Sequence, residues 1–482
     1  MSRINTNVSS LIAVNNLNKN NTSLQTSLER LSTGYRINSG KDDPAGLIAS
    51  ESLQAEQQAT STAINNAQLA NNIIGTAEGS LSEVSNLLVS LQGLVGDAAN
   101  KAGKSQDELN ADQLQVDSIL QTVNRISNSA SFQGVKLLNG TFDYSTSGLN
   151  STSAFTSVSI NSATIGATPL AVSVSVITSA QHAQLSFLGS STGLSGTANL
   201  SIAGNVGTVL LSFTSATSSS KIVAAVNLYT DSTGVQATLS SDNKSVVFTS
   251  TGYGSSQFVT IQSTNDTAFS TEDKNAVINQ SSKGRDATVS VNGTAVTADG
   301  LNVNVVTADL QANFTLNSTA NFNGAAKNFG VTGGGATFSL GAQVNTANLA
   351  SIGIGNINTG SIGKYVQNGT IFSLADLGSG KAAAVNNGDT TLAQNIVNKA
   401  IQDVSNLRGR LGAFQQNVLG STINSLNVAL ENVSSSESTI RDTDFATETA
   451  NLTRNQILVQ AATSVLSTAN QTPQNVLKLL GG

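Results

Sequence analysis

Both ends of this chain carry a heptad pattern, in which mostly apolar residues recur at alternating spacings of three and four. Such spacing places the side chains on one narrow stripe of an α-helix, the pattern of a coiled coil. The N-terminal stripe consists of Val14, Leu17, Asn21, Leu24, Leu28, Leu31 and Tyr35. The C-terminal stripe consists of Leu452, Asn455, Val459, Ala462, Leu466, Ala469, Pro473, Val476 and Leu480. Because a stripe this narrow cannot form a globular core, each terminal helix is expected to pack against the opposite terminus or against neighbouring copies of the chain.

A polar residue interrupts each stripe, Asn21 in the first and Asn455 in the second. Two interpretations remain open: each asparagine specifies the register of the packed helices at a cost in stability, or it is only tolerated. Isolated helices are marginally stable in water, and a coiled coil without its partner frays. We therefore expect both ends to be poorly ordered in the monomer and to become helical on assembly.

Composition argues against several classes of function. The chain has 482 residues, of which only 11% are charged, with one histidine and no cysteine. Metal centres and Ser-His or Cys-His catalysis therefore have almost no residues to use, so we predict no enzyme, metal or cofactor site. His182, the single histidine, is expected to be a solvent-facing residue on a strand or turn.

Charge and hydropathy argue against two kinds of partner. Proteins that bind nucleic acid usually carry a basic stripe, whereas this chain has a net charge of −6. No segment approaches the run of about 18 apolar residues that a membrane-spanning helix requires. The N-terminus lacks a basic patch followed by an apolar stretch, so an extracellular chain would need an export route without a cleaved signal.

The helical segments are separated by polar turns. Helices are expected over about 9–32, 44–95, 114–126 and 392–441, with a break at 102–113 and a hairpin at 132–142. In the first turn, 34–46, Asp43 is expected to cap the next helix and Pro44 to occupy its first position. A second polar turn, 441–448, precedes the C-terminal helix.

The composition changes after Asp143, since the stretch from Tyr144 to Ser220 contains no charged residue. Alternating apolar residues predict strands with one buried face at 172–176, 235–239, 287–291 and 301–305, and a short helix is expected at 219–229. Two interpretations of the abundant Ser and Thr remain open: a neutral solvated β surface, or attachment sites for O-linked glycans, which intact mass would distinguish.

These patterns predict an α+β multidomain fold, with terminal coiled-coil helices and a long helix bundle around a β-rich central insert. The predicted domains are an inner coiled coil (1–43 and 441–482), a helical bundle with a β-hairpin (44–143 and 386–440), and two β-rich outer domains (144–283 and 284–385). Because the order of segments is symmetric, the two termini should lie side by side.

Several segments resemble bacterial flagellin, the subunit of the flagellar filament. They include LERLSTGYRINSGKDDPAGLIAS (28–50), FQGVKLLNG (132–140), LRGRLGAFQQN (407–417) and IRDTDFATETANL (440–452), together with 4–20 and 456–480. In the insert, 221–261 and 284–310 are similar to a β-rich repeat of flagellins and hook-associated proteins.

The resemblance implies an extracellular homopolymer in which the terminal helices form an inner tube and the insert faces solvent. It also implies unfolded export by a flagellar type III apparatus, a chaperone that holds the C-terminal helix, and contacts with cap and hook-associated proteins. The two polar turns would be spokes that join the inner tube to the next layer. The spoke residues are Arg36, Asp42, Asp43, Pro44, Arg441, Asp442 and Asp444.

Many flagellins carry an arginine-rich patch that an animal innate immune receptor recognises. In the matching positions here, Ser90, Gln92 and Gly93 replace charged residues, Gln115 replaces an acid, and Leu94 is retained. We therefore predict weak or no stimulation of that receptor. Full activation of a reporter cell by the monomer would contradict this prediction.

A filament subunit is favoured by the close matches KDDPAG (41–46) and RDTDFATE (441–448) and by the terminal LLGG. A hook–filament junction protein would share the terminal stripes and the export route. A secreted adhesin acting through the insert would leave the terminal stripes unexplained.

Overall fold

The computed structural model describes residues 6–100, 103–148, 154–165, 168–187, 193–240, 244–264, 268–307, 309–322, 326–367 and 370–480, with side chains as far as 472. The chain divides into two compact units. One consists of Met1–Asn71, Ser339–Leu349 and Gln416–Gly482, and the other of Asn72–Phe338 and Ala350–Gln415.

The helices follow the predicted order. They are α1 (Val8–Thr33), α2 (Pro44–Ala98), α3 (Gln106–Ser129), α4 (Ser219–Asn227), α5 (Thr230–Thr233), α6 (Thr390–Ala413), α7 (Ser421–Arg441) and α8 (Phe445–Leu480). The predicted start of α2 is confirmed: Pro44 is its first residue, and the Asp43 carboxylate accepts a hydrogen bond from the Gly46 amide at 2.9 Å. α1 ends where Gly34 adopts a left-handed conformation with φ of 78°, which glycine tolerates best.

The predicted start of α3 is wrong, because the helix begins at Gln106 rather than near Leu114. Ser105 and Glu108 form a capping box: the Ser105 hydroxyl accepts from the Glu108 amide at 3.3 Å, and the Glu108 carboxylate accepts from the Ser105 amide at 2.7 Å. The Ser-x-x-Glu spacing was a readable signal for this helix start. The break in the helical pattern is therefore shorter than the predicted 102–113.

The predicted helix over 392–441 is interrupted by a π-helical segment, Phe414–Gly420. A π segment widens the helical turn and so rotates the residues that follow. α6 before it has eight buried residues, whereas no residue of α7 after it is buried. The second polar turn is also shorter than predicted, because α7 extends to Arg441 and α8 begins at Phe445.

The predicted hairpin and strands are present. The strands are β1 (Ser131–Phe132), β2 (Val135–Lys136), β3 (Ser145–Ser147), β4 (Phe155–Ala163), β5 (Leu170–Thr178), β6 (Gln184–Phe187), β7 (Ala198–Gly204), β8 (Thr208–Phe213), β9 (Val235–Leu239), β10 (Val246–Ser250), β11 (Phe258–Ser263), β12 (Thr271–Glu272), β13 (Ser281–Lys283), β14 (Thr288–Val291), β15 (Thr294–Thr297), β16 (Asn302–Val306), β17 (Leu310–Leu316), β18 (Lys327–Gly333), β19 (Ala336–Ser339), β20 (Leu349–Ile352), β21 (Tyr365–Gln367) and β22 (Thr370–Phe372). The short helix predicted at 219–229 is α4.

Two apolar cores organise these strands. Core A lies between the sheet β15-β14-β5-β18-β3 and the sheet β16-β17-β4. Its alternation is as predicted, since Val174 and Val176 of β5 are buried and pair with Val291 and Val289 of β14. Core B lies between the sheets β12-β6-β10-β9 and β13-β11-β7-β8, with buried residues of α4 packed into it.

Core B is inserted in the chain between β5 and β14, two adjacent strands of core A. The chain enters core B near Gln181 and leaves it near Arg285, and we call this crossing point the neck. The backbones of these two residues exchange hydrogen bonds of 2.8 and 3.0 Å. The predicted boundary between the two outer domains lies at residue 283, and strands before and after this residue contribute to core A. The division into domains stays a prediction.

The expectation that His182 faces solvent is wrong. Its side chain is half-buried beside the neck, with its ring centroid 3.7 Å from that of Tyr253. Its Nδ1 atom lies within hydrogen-bond distance, 2.9 Å, of the Gly252 carbonyl oxygen. Tyr253 is distant from His182 in sequence, so no local pattern could have predicted this contact.

Candidate functional site: the terminal helix pair

The two terminal helices, α1 and α8, pack side by side in an antiparallel pair. The Asn7 side chain donates to the Ala469 carbonyl at 2.8 Å near the start of α1, and the Asn455 side chain donates to the Ser27 hydroxyl at 3.1 Å near its end. Arg30 forms an ion pair with the buried carboxylate of Glu448 at 3.7 Å. The expectation that the termini lie side by side is confirmed.

On α8, the predicted stripe is the least exposed face. Its buried or half-buried members are Leu452, Asn455, Val459, Ala462, Leu466 and Ala469, each three or four residues from the next. The last stripe residues, Pro473, Val476 and Leu480, lie outside the part of the chain whose side chains are described.

On α1, the face that α8 covers is displaced from the predicted stripe. The covered residues are Ser10, Ala13, Leu17, Asn20, Leu24, Ser27 and Leu31. Leu17, Leu24 and Leu31 belong to both stripes, whereas Val14 and Leu28 of the predicted one stay 38% and 49% exposed. The two small residues Ala13 and Ser27 are the buried ones on α1, because small side chains let two helices approach closely.

Asparagine side chains form bonds across the pair at three levels. In addition to Asn7, Asn20 donates to the Leu458 carbonyl at 3.3 Å, and Asn455 also donates to the Ser23 carbonyl at 3.3 Å. These bonds favour the register interpretation for Asn455. On α1 the asparagine that bonds across the pair is Asn20 and not the predicted Asn21. Both residues are half-buried.

The two predicted spoke turns pair with each other. The Arg36 amide donates to the Arg441 carbonyl at 2.6 Å, and the Thr443 amide donates to the Gly34 carbonyl at 2.9 Å. The Arg441 guanidinium lies 4.3 Å from the centre of the Tyr35 ring, a cation–π contact. Backbone bonds on both sides of Tyr35 and Asp442, which form a β-bridge, therefore tie the two turns together.

Carboxylates stabilise each turn internally. Asp42 accepts hydrogen bonds from the Ser39 amide at 2.9 Å and the Ser39 hydroxyl at 3.0 Å. Asp444 accepts from the Ala446 amide at 2.9 Å and the Thr447 hydroxyl at 2.7 Å, and so caps α8. The Ser39 hydroxyl lowers the pKa of Asp42, and the Thr447 hydroxyl lowers the pKa of Asp444.

Acid is expected to loosen these turns. Because the folded-state pKa of Asp444 is lowered from 3.8, its stabilising contribution is complete well above that value and is lost as the pH falls through the folded-state pKa. Amide hydrogen exchange at Ala446 should therefore accelerate in acid, beyond the chemical dependence of exchange on pH. Asp444→Asn is the matched control, since asparagine caps helices but does not titrate. The same acid response in the control would contradict the assignment.

The five positions that match the immune-receptor patch of many flagellins lie on α2 and α3. Those exposed to solvent are Ser90, Gly93 and Gln115, and those half-buried are Gln92 and Leu94. The Gln92 amide donates to the Asn398 side chain of α6 at 2.9 Å, so it is directed into the helical packing. Ser90, Gly93 and Gln115 therefore present no charged side chain to solvent.

Two arginines of α6 in the matched segment 407–417 have roles that sequence reasoning missed. Arg408 is about a third exposed and forms a bidentate pair with Glu78, with contacts of 2.7 Å to Oε1 and 3.3 Å to Oε2. Arg410 is half-buried and donates to the Gly353 carbonyl at 2.7 Å and to the Asn161 side chain of β4. Burial lowers the pKa of Arg410. Arg410 thus joins α6 to core A.

The described ranges contain neither a membrane-spanning helix nor a cluster of metal ligands. No helix there is long and apolar enough to cross a bilayer. Within the same ranges, no group of three or more His, Cys, Asp or Glu side chains is placed to hold a metal ion.

The terminal helices pair with each other, and the sequence between them contains a β-rich insert, an arrangement that suits a structural subunit. The sequence profile of the bacterial flagellin N-terminal helical region matches residues 4–143, and that of the C-terminal helical region matches residues 394–480. The chain is 33% identical to B-type flagellin of Pseudomonas aeruginosa and 32% identical to flagellin of Salmonella rubislaw, over 99% of both chains in each pair. It is 30% identical to flagellin of Salmonella muenchen, also over 99% of both chains.

The chain therefore belongs to the bacterial flagellin family. It is a structural, non-enzymatic subunit of the extracellular flagellar filament, a homopolymer used for motility.

Proposed function

We propose that the chain polymerises through α1 and α8 after export in the unfolded state by a flagellar type III apparatus. The observation that carries this proposal is the number of large apolar side chains that the terminal helices leave exposed. They are Val8, Leu11, Ile12, Val14, Leu28, Phe445, Ile457, Leu458 and Val465. Burying one Leu or Val is worth about 1.5–3 kcal/mol before ordering costs, so neighbouring copies can supply a large driving force.

The helix pair itself buries little. The buried side chains of α1 are Ala13 and Ser27, and those of α8 are Glu448 and Ala469 among residues with described side chains. None of them is a large apolar residue. Helices gain most of their stability from packing. This supports a helix pair that is only marginally stable in the monomer and gains further packing from neighbouring copies in the filament.

The same exposed side chains support a role for a chaperone. Exposed apolar stripes promote aggregation, so a partner that covers the C-terminal helix before export has a physical reason. We extend the proposal to cap and hook-associated proteins as partners at the ends of the filament. We also propose that the chain stimulates the animal innate immune receptor weakly or not at all.

Circular dichroism of monomer and filament tests whether assembly orders the terminal helices. We expect helix content to rise on polymerisation, since α1 and α8 would order together with their neighbours. A chain truncated before Phe445 is the control, because it lacks α8 and should show no such rise under polymerising conditions. Equal helix content in monomer and filament would contradict the coupling of assembly to helix formation.

A further inference from the structure

One flank of the α1/α8 pair carries a groove of about 350 Å³. Its apolar lining consists of Ala13, Leu458, Ala461, Ala462 and Val465, and its polar lining consists of Asn16, Asn20 and the exposed Lys19. The alanines leave the groove open, while Leu458 and Val465 at its side are 42% and 59% exposed. Leu458 and Val465 therefore form apolar ridges on α8, with small alanine side chains between them.

The opposite flank of α1 carries a row of side chains at seven-residue intervals, Val14, Asn21 and Leu28. Successive residues of an α-helix are rotated by about 100°. Relative to the shared residues Leu17 and Leu24, this rotation places the row on the side away from the groove. Val14 and Leu28 are exposed, so the row has no complete partner within its own chain.

The groove and the row match in spacing. Leu458 and Val465 are also seven residues apart, so both surfaces repeat at about 10.5 Å along the helix axis. Side chains at this repeat can insert between the ridges of a facing helix, as knobs do in coiled coils.

The two surfaces also match in charge. Between Val8 and Leu28, Lys19 is the single charged residue, and between Thr449 and Thr472 Arg454 is the single one. Lys19 lines the groove but is itself exposed, so contact between these faces would approach only this one charge of α1, and an interface that buries few unpaired charges avoids their desolvation cost. The row also borders the intrachain interface, because Val14, Asn21 and Leu28 lie three or four residues from Leu17 and Leu24, which α8 covers.

We propose that the groove on the α1/α8 pair accepts the Val14–Leu28 row of the next copy of the chain, an inference that rests on the proposed function. Because donor row and acceptor groove lie on opposite flanks, the contact is heterologous. A heterologous contact adds copies in one direction and produces an open helical polymer when the rotation does not close a ring. The pair of terminal helices thereby contains both halves of a repeating joint.

Ala461→Leu tests the groove directly. The Ala461 side chain is exposed, so leucine can fill the groove without displacing α1 from α8. We expect elongation of wild-type filament fragments to slow at least about tenfold, the effect of losing roughly 1.4 kcal/mol. Ala450→Leu, at an exposed position of α8 outside the groove, is the matched control and should elongate normally. Equal circular dichroism of the monomers would show that both variants fold.

Cross-linking tests the partner, and the chain is suited to it because it contains no cysteine. Leu28→Cys or Val14→Cys copies are mixed with Ala461→Cys copies, assembled on fragments and joined with a short bis-maleimide. We expect cross-linked dimers from these mixtures, and few or none from mixtures with Ala450→Cys copies.

Elongation of Ala461→Leu at the wild-type rate, or growing filaments in which neither mixture cross-links, would overturn the groove assignment. Failure of the wild-type chain to elongate would instead contradict the proposed function. The two failures are therefore distinguishable.

Discussion

Replacing Leu28 with aspartate is expected to abolish filament growth while leaving the β-rich insert folded. Leu28 is 49% exposed in the single chain, so the carboxylate stays hydrated in the monomer. In the polymer the same carboxylate would be buried without a partner, at a cost of several kcal/mol per subunit. Leu466→Asp is expected to have the same effect, since Leu466 lies on the half-buried face of α8. Sedimentation of polymer after addition of filament fragments measures the loss.

A charge introduced elsewhere on the same helices is the control. Thr453 is exposed on α8, outside the stripe that faces α1, and Thr453→Asp should reduce growth far less than Leu466→Asp. The melting of the insert should be unchanged in all three variants. Normal growth of both leucine variants would contradict assembly through the terminal helices.

Replacing Arg410 with alanine is expected to lower the free energy of unfolding of the second unit by about 3 kcal/mol. The substitution removes two charged hydrogen bonds and leaves the Gly353 carbonyl and the Asn161 side chain without this donor. A buried acceptor that loses its donor carries a full desolvation penalty. Urea unfolding followed by circular dichroism measures the change.

Arg408→Ala is the matched control, two residues earlier on the same helix. Arg408 and Glu78 are about a third exposed, so water screens their pairing and its loss should cost about 0.5 kcal/mol. Equal destabilisation by the two variants would show that Arg410 does not act through its half-buried contacts.

Local signals explain how much of the helical fold could be predicted. Asp43 and Pro44 mark the start of α2 because capping and a missing amide act within one turn. The Ser105–Glu108 box is the same kind of signal for α3, whereas apolar periodicity alone places the start of this helix too late. The π segment at Phe414–Gly420 has no comparable signal, since periodicity alone does not distinguish it from continuous helix.

Long-range packing explains what could not be predicted. Alternation placed the strands, but it cannot show that β5 pairs with β14 across the whole of core B. On α1 the coiled-coil pattern selects large apolar residues, whereas the intrachain contact uses the small residues Ala13 and Ser27. The predicted stripe therefore includes exposed side chains, Val14 and Leu28, which the proposed contact between copies would cover.

Electron microscopy of the purified chain added to short filament fragments tests the central claim most directly. Assembly through the terminal helices predicts that the fragments grow into long helical fibres, and that Leu28→Asp protein leaves them short. Wild-type protein that stays monomeric, or that only caps the fragments, would contradict this account and would favour a junction protein at the end of the filament.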